Sequence, residues 1–215
     1  MKGRLPIMTR KIAFVCSVLA LGALTAAAQD AGSRRFTVTS TTFENDKTLP
    51  LSMILDLENN GVNVCSIDGH PGGNKSPELS WTNVPRGTRS FVVIAFDTTA
   101  GFIHWGMYDI PGDIIGLPEG AGVAGSTYGK QVVNNFGSSG GQANREYDGP
   151  CPPPNYPPNV HHYIFTVYAL DIELGLYETP DFPPTGATLF RQLIETRQHI
   201  LASASITGLY STTPD

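Results

Sequence analysis

Phe91-Val-Val-Ile-Ala-Phe96 is apolar at every position, and Tyr163-Ile-Phe-Thr-Val-Tyr-Ala-Leu170 is nearly so. A strand sends successive side chains to opposite faces, so an unbroken apolar run of this length predicts a central strand covered on both sides. Asp97 ends the first run and Asp171 the second. With 23 Gly and 17 Pro in 215 residues, long helices are disfavoured and turn-rich β structure is expected. Hydrophobic residues at 40% against 15% charged provide for one sizeable core and one domain.

The rest of the chain divides around these two runs. Phe36 to Phe43 alternates and is β-branched, a strand pattern; Met53 to Leu57 is a shorter candidate, and Ser76 to Trp81 leads into a strand with Trp81 in the core. Val84-Pro-Arg-Gly87 forms a turn, and His104 to Ile110 is a strand stopped by Pro111-Gly112. Asp113 to Tyr147 is Gly-rich and irregular, with Gly137-Ser-Ser-Gly-Gly141 its most flexible part; a loop of this length in a compact domain is functional or disordered. One helix is expected, with Leu189, Leu193 and Ile200 beside Phe190, Ile194 and Leu201 as its apolar stripe and Thr188 as N-cap. Ala202 to Tyr210 then reads as a closing strand.

Lys2, Arg4, Arg10 and Lys11 precede the apolar segment Ile12 to Leu24, which ends in Ala26-Ala-Ala28. This is the pattern of a secretory signal peptide, residues 1–28, with Met1 or Met8 as the start and residues 29–215 as the exported domain. The segment falls short of the ~20 residues needed to cross a bilayer, so no transmembrane segment is expected after cleavage and the protein is expected to be secreted or periplasmic. Cys16 lies within the apolar run and not at the cleavage point, which argues against a lipoprotein. Cleavage removes four of the 14 basic residues and no acidic ones, leaving 10 against 19, a net of −9. Such a surface disfavours nucleic acid and anionic membranes as partners. Cys65 and Cys151 remain, either as one disulfide worth up to ~4 kcal/mol on the chain-entropy argument or as two separate buried thiols.

Asp97, His104 with Trp105, the run Gly149-Pro-Cys-Pro-Pro-Pro154 and His161-His-Tyr163 bring a carboxylate, imidazoles and a stiff loop to strand ends. Together they suit a small pocket for a polar, anionic ligand. Each residue also has a plainer reading. Asp97 could cap a turn, His104 could be a core histidine bonded to backbone, and Trp81, Trp105 and Tyr168 suit packing. His161 and His162 are neighbours in a strand, so only one faces the pocket, and His161 is the assignment. His70 and His199 read as surface residues, and Asn74-Lys-Ser76 matches a glycosylation acceptor too short to carry weight.

Ser76-Pro-Glu-Leu-Ser-Trp81, Asp97-Thr-Thr-Ala100 before Phe102-Ile-His-Trp105, Asp109-Ile-Pro111, Gly149-Pro-Cys-Pro-Pro153, His161-His-Tyr163 with Tyr168-Ala-Leu-Asp171, and Leu201 to Ser211 occur in an order that resembles the phosphatidylethanolamine-binding protein family, in its bacterial Raf-kinase-inhibitor-like branch. The resemblance implies a mostly β fold: a β-sandwich with a large antiparallel Greek-key sheet, a smaller sheet and a C-terminal helix. It also implies a pocket for phosphate-like groups or a phospholipid headgroup, lined by Asp97, His104, Gly149, Cys151, His161 and Tyr163. The amides of Gly149 and Cys151 would point at the ligand, since Pro150 and Pro152 have no N–H. Thr98, Thr99 and Gly101 stand where the family's Asp-Pro-Asp-Ala-Pro pattern has its second acid and both prolines, which leaves that wall less rigid and less acidic.

No enzymatic activity and no cofactor are expected. A two-histidine, one-carboxylate metal site from Asp97, His104 and His161 would be the hydrolytic alternative. Neither a His-x-x-x-His pair nor a Gly-x-Ser-x-Gly elbow supports it, and Ser203 and Ser205 lie in a strand pattern. The other alternative is a protein partner: some members of the family inhibit kinases or proteases by surface contact, for which the 113–147 loop would serve.

Overall fold

The strand that carries the first apolar run, β6 (Ser90–Asp97), lies inside a six-stranded sheet. Its odd-numbered side chains, Phe91, Val93 and Ala95, enter one core with Trp81, Trp105, Phe165 and Val167. Its even-numbered ones, Val92 and Ile94, enter a second core with Tyr108, Leu189 and Leu193. Covering both faces is what a run without alternation requires. The structure, a computed structural model, describes residues 35–140, 145–179 and 182–213 together with Gly3; the rest of the expected leader lies outside the described residues.

The remaining strands are β1 (Thr37–Thr39), β2 (Lys47–Thr48), β3 (Glu58–Asn59), β4 (Val62–Asn63), β5 (Leu79–Thr82), β7 (Phe102–Pro111), β8 (Gly116–Leu117), β9 (Lys130–Gln131), β10 (His161–Leu170) and β11 (Ile200–Tyr210). The large sheet runs β2-β11-β10-β6-β7-β9, antiparallel throughout except where β2 joins β11. A three-stranded sheet, β1-β5-β8, packs over the first core through Val38, Leu79, Trp81 and Leu117, making the sandwich. The second core lies under helix α2 (Gly186–Glu195), close enough that a Cβ on Gly186 would sit 2.5 Å from Ile103. This is the expected β-sandwich, with its helix just before the closing strand.

Several boundaries differ from the sequence expectation. The helix begins three residues earlier than expected: Thr185 and not Thr188 is the N-cap, its hydroxyl accepting from the Thr188 N–H at 3.2 Å. Ile200 and Leu201 leave the stripe, because the chain exits the helix at Thr196 and passes through a 3₁₀ turn into β11. Apolar residues seven apart fit a helical period, and the same residues also open a strand. Met53 to Leu57 is not a strand; Leu51–Met53 is a 3₁₀ turn, and the hairpin β3-β4 follows it. That hairpin turns on Asn60-Gly61, both at positive φ, the Asn-Gly signature of a two-residue turn.

The Gly-rich stretch 113–147 is not a free loop. It contributes β8, β9 and helix α1 (Asn135–Gly140), and Leu117, Ala121, Val132, Val133, Asn134 and Tyr147 are buried. Residues 141–144, the end of the expected flexible segment included, lie outside the described residues.

The helix boundary has a direct check. Leu193 is 4% exposed and Leu201 38%. Leu193→Ala should cost about 2–5 kcal/mol and Leu201→Ala about 0.5 kcal/mol in urea unfolding. Equal losses would restore Leu201 to the buried stripe.

Candidate functional site

Register brings the site together. Asp97, the last residue of β6, pairs with Tyr163 on β10 and Phe102 on β7, and His161 lies two residues before Tyr163 on the same face. Pairing along β6 and β7 slips between Ala95 and Phe96: Ala95 faces Trp105 and Phe96 faces Ile103, so His104 is the extra residue of a β-bulge. A bulge re-aims the side chains beside it. Here Trp105 keeps its place in the first core while His104, its neighbour, packs against Tyr163 with ring centroids 5.2 Å apart. The bulge is secured by Asn135, whose Oδ1 accepts from the Ile103 N–H at 2.6 Å.

These side chains line a cavity of about 240 Å³ with Ala100, Phe102, Phe136, Cys151, Pro152 and Pro153. Asp97 is buried and fully engaged. Its Oδ1 accepts from the Thr99 and Ala100 N–H groups at 2.8 and 3.1 Å, closing the β6-β7 turn. Its Oδ2 accepts from His161 Nδ1 at 2.6 Å. Turn cap and site residue are therefore one role. His161 is buried and its Nε2 is the ring nitrogen left for a ligand, whereas His162 is exposed.

His104 Nδ1 donates to the Asp148 carbonyl at 2.8 Å. Burial pushes the imidazole below its ordinary pKa, partly offset by that carbonyl and by Asp97 and Asp148, so the ring is held neutral with Nε2 as an acceptor. Tyr163 is 2% exposed, and its hydroxyl is the single buried side-chain polar atom among the described residues without a partner at full hydrogen-bond geometry, although the Asp97 carboxylate acts on it through its charge and as a weak acceptor. Burial, and next the Asp97 charge, raise its pKa far above the ordinary phenol value, so it stays a protonated donor. An unpaired buried hydroxyl facing a cavity calls for a ligand or water. No described lining residue is Lys or Arg. Among the described residues no three of His, Cys, Asp and Glu are grouped to hold a metal ion.

The structure joins Cys65 to Cys151, with Cα atoms 4.5 Å apart. This ties the Pro-rich cavity wall to the segment after β4. Gly149 is placed differently from the sequence expectation. It does not line the cavity, and its N–H is given to Asn74 Oδ1 at 2.7 Å. A Cβ there would lie 2.0 Å from the Met53 carbonyl oxygen, so close packing accounts for the glycine. Asn74 is thus committed to the fold and is no free glycosylation acceptor. Trp81 and Trp105 are core residues, His70 is exposed, and His199 has a partner in Asp171 at 2.8 Å. Phe136 escaped the sequence reading; its sole signal is one aromatic in a polar tract.

The phosphatidylethanolamine-binding protein family profile matches residues 39–211. The chain belongs to that family. This family member is 40% identical over 151 residues to the UPF0098 protein YbhB of Escherichia coli, covering 66% of this chain and 85% of that protein. It is 35% identical over 150 residues to the UPF0098 protein YbcL of the same organism, covering 66% and 74%. The crystal structure of YbcL, described as a new member of the mammalian PEBP family, superposes with a TM-score of 0.62 at 31% identity over 82% of this chain and 98% of that one. A Chlamydia trachomatis homologue superposes at 0.60 with 27% identity, over 83% and 99%. These likenesses place the chain in the bacterial YbhB/YbcL-type branch.

The lowered pKa of His104 has a stability consequence. Below the unfolded value near 6.5 the unfolded chain takes up a proton that the folded chain refuses, so this residue's contribution to stability is lost as pH falls from about 6.5 through the folded pKa. Urea unfolding at pH 7.5 and pH 5 should show a smaller acid loss for His104→Gln, which retains a donor for the Asp148 carbonyl. An acid loss as large as the parent's would contradict the neutral, buried assignment.

Proposed function

We propose that this family member is an exported, non-enzymatic binding protein whose cavity receives a small anionic group, phosphate-like or carboxylate, a phospholipid headgroup included. The observation that carries this reading is the unpaired Tyr163 hydroxyl inside a cavity flanked by His104 and the Asp97-bound His161. Tyr163 supplies a donor. His161 is oriented by Asp97 through Nδ1, which leaves Nε2 for the ligand, and His104 becomes a further donor when an arriving anion favours its charged form. Phe102, Phe136, Pro152 and Pro153 exclude water and strengthen these bonds. With no Lys or Arg among the described lining residues, charge is met by histidine alone, which favours monoanions over dianions.

The leader pattern at residues 1–28 supports export, and the disulfide suits an oxidising compartment. Inhibition of a protein partner through residues 113–147 has less support, because much of that stretch is committed to strands, helix α1 and the core.

Calorimetric titration of the mature protein with acetate, phosphate and phosphoethanolamine tests the reading. Acetate, a monoanion at both pH 7.5 and pH 5.5, should bind more tightly at the lower pH, and His104→Ala and His161→Ala should each weaken it by about tenfold or more. Unchanged affinity in both variants would remove the pocket assignment.

A further inference from the structure

Asp148 lies outside the cavity lining, is 5% exposed, and places a carboxylate in the interior. Buried carboxylates are costly unless their oxygens are well bonded. Asn74 Nδ2 donates to Oδ1 at 3.3 Å and Asn134 Nδ2 to Oδ2 at 2.8 Å. Each asparagine then turns its own oxygen to a backbone N–H: Asn74 to Gly149 at 2.7 Å, Asn134 to Gly137 at 3.0 Å. The main chain of Asp148 completes the arrangement, its carbonyl accepting from His104 Nδ1 at 2.8 Å and its N–H donating to the His104 carbonyl at 3.1 Å.

One residue therefore reaches three parts of the cavity: the Gly149 entry to the Cys151–Pro153 wall, the start of α1 that carries Phe136, and the His104 ring. The donor pattern dictates a carboxylate. An asparagine whose oxygen must face a backbone N–H presents its NH₂ on the other side, so the group between Asn74 and Asn134 has to accept twice. A carboxylate does so, and an amide at position 148 would leave one NH₂ facing another.

We propose that Asp148, with Asn74 and Asn134, is the positioning residue of the site, setting the His104 tautomer and holding two walls of the cavity in place. Its effect on affinity rests on the anion-binding reading; its effect on His104 does not. Asp148→Asn breaks the pattern with little change of shape. The exchange N74D/D148N restores it: Asp at 74 accepts from both the Gly149 N–H and the new amide, whose oxygen still accepts from Asn134. Position 74 has φ +46, a conformation Asp tolerates as Asn does.

The experiment measures, for parent, single and exchanged proteins, the His104 ring ¹⁵N shifts, acetate affinity and thermal unfolding. The parent should show His104 protonated at Nδ1. Asp148→Asn should show mixed tautomers and bind acetate about tenfold more weakly, and the exchange should recover both readouts. If Asp148→Asn does not fold, recovery of folding, tautomer and affinity in the exchanged protein supports the proposal equally. A single variant with parental tautomer and affinity overturns it, as does an exchanged variant no better than the single one. Should the parent fail to bind acetate, the binding reading falls alone, and the tautomer comparison still decides the role of Asp148.

Discussion

The antiparallel register of β6 against β10 is the constraint on which the site depends. With Asp97 opposite Tyr163, the carboxylate bonds His161, two residues along on the same face as the phenol. A slip of one residue would send His161 and Tyr163 to the helix face and leave Asp97 without its partner. The register is held along the whole strand by side chains packed into two cores, so site geometry and core packing are the same fact seen at different points of β6.

The β-bulge at His104 adds what regular pairing could not. Alternation alone would put His104 and Trp105 on opposite faces, and the inserted residue lets the tryptophan stay in the core while the histidine faces the cavity. Burial keeps that ring neutral against the opposing pull of the Asp148 carbonyl, and the same carbonyl, by accepting from Nδ1, leaves Nε2 as the acceptor. Asp97 is thus bonded to His161 and the Asp148 carboxylate to two amides, leaving the Tyr163 hydroxyl as the buried polar atom without a partner at full hydrogen-bond geometry.

Much of this was legible in the residues. Phe91 to Phe96 announces a strand covered on both faces, because only burial on each side tolerates an apolar residue at every position, and the order of the Asp97, His104, Cys151, His161 and Tyr163 motifs brings together residues that do line one cavity. The misses share a physical cause. Asn74 binds Gly149 across 75 positions of chain, so no local pattern shows that the glycine amide is already committed. Phe136 and Asp148 act through tertiary neighbours that only the folded chain supplies. Ile200 and Leu201 fit a helical period and a strand period alike, and the chain's exit at Thr196 decides between them. Asn60-Gly61 was a readable turn signal that the Gly- and Pro-rich surroundings obscured.

A crystal structure of the mature protein soaked with phosphoethanolamine would show directly whether the cavity receives the anion. The phosphate should lie in the cavity within hydrogen-bond distance of Tyr163 Oη and of Nε2 of His104 or His161, roughly 2.6–3.2 Å. A phosphate bound elsewhere, or the ammonium end of the ligand seated against Tyr163, would contradict the anion-binding reading.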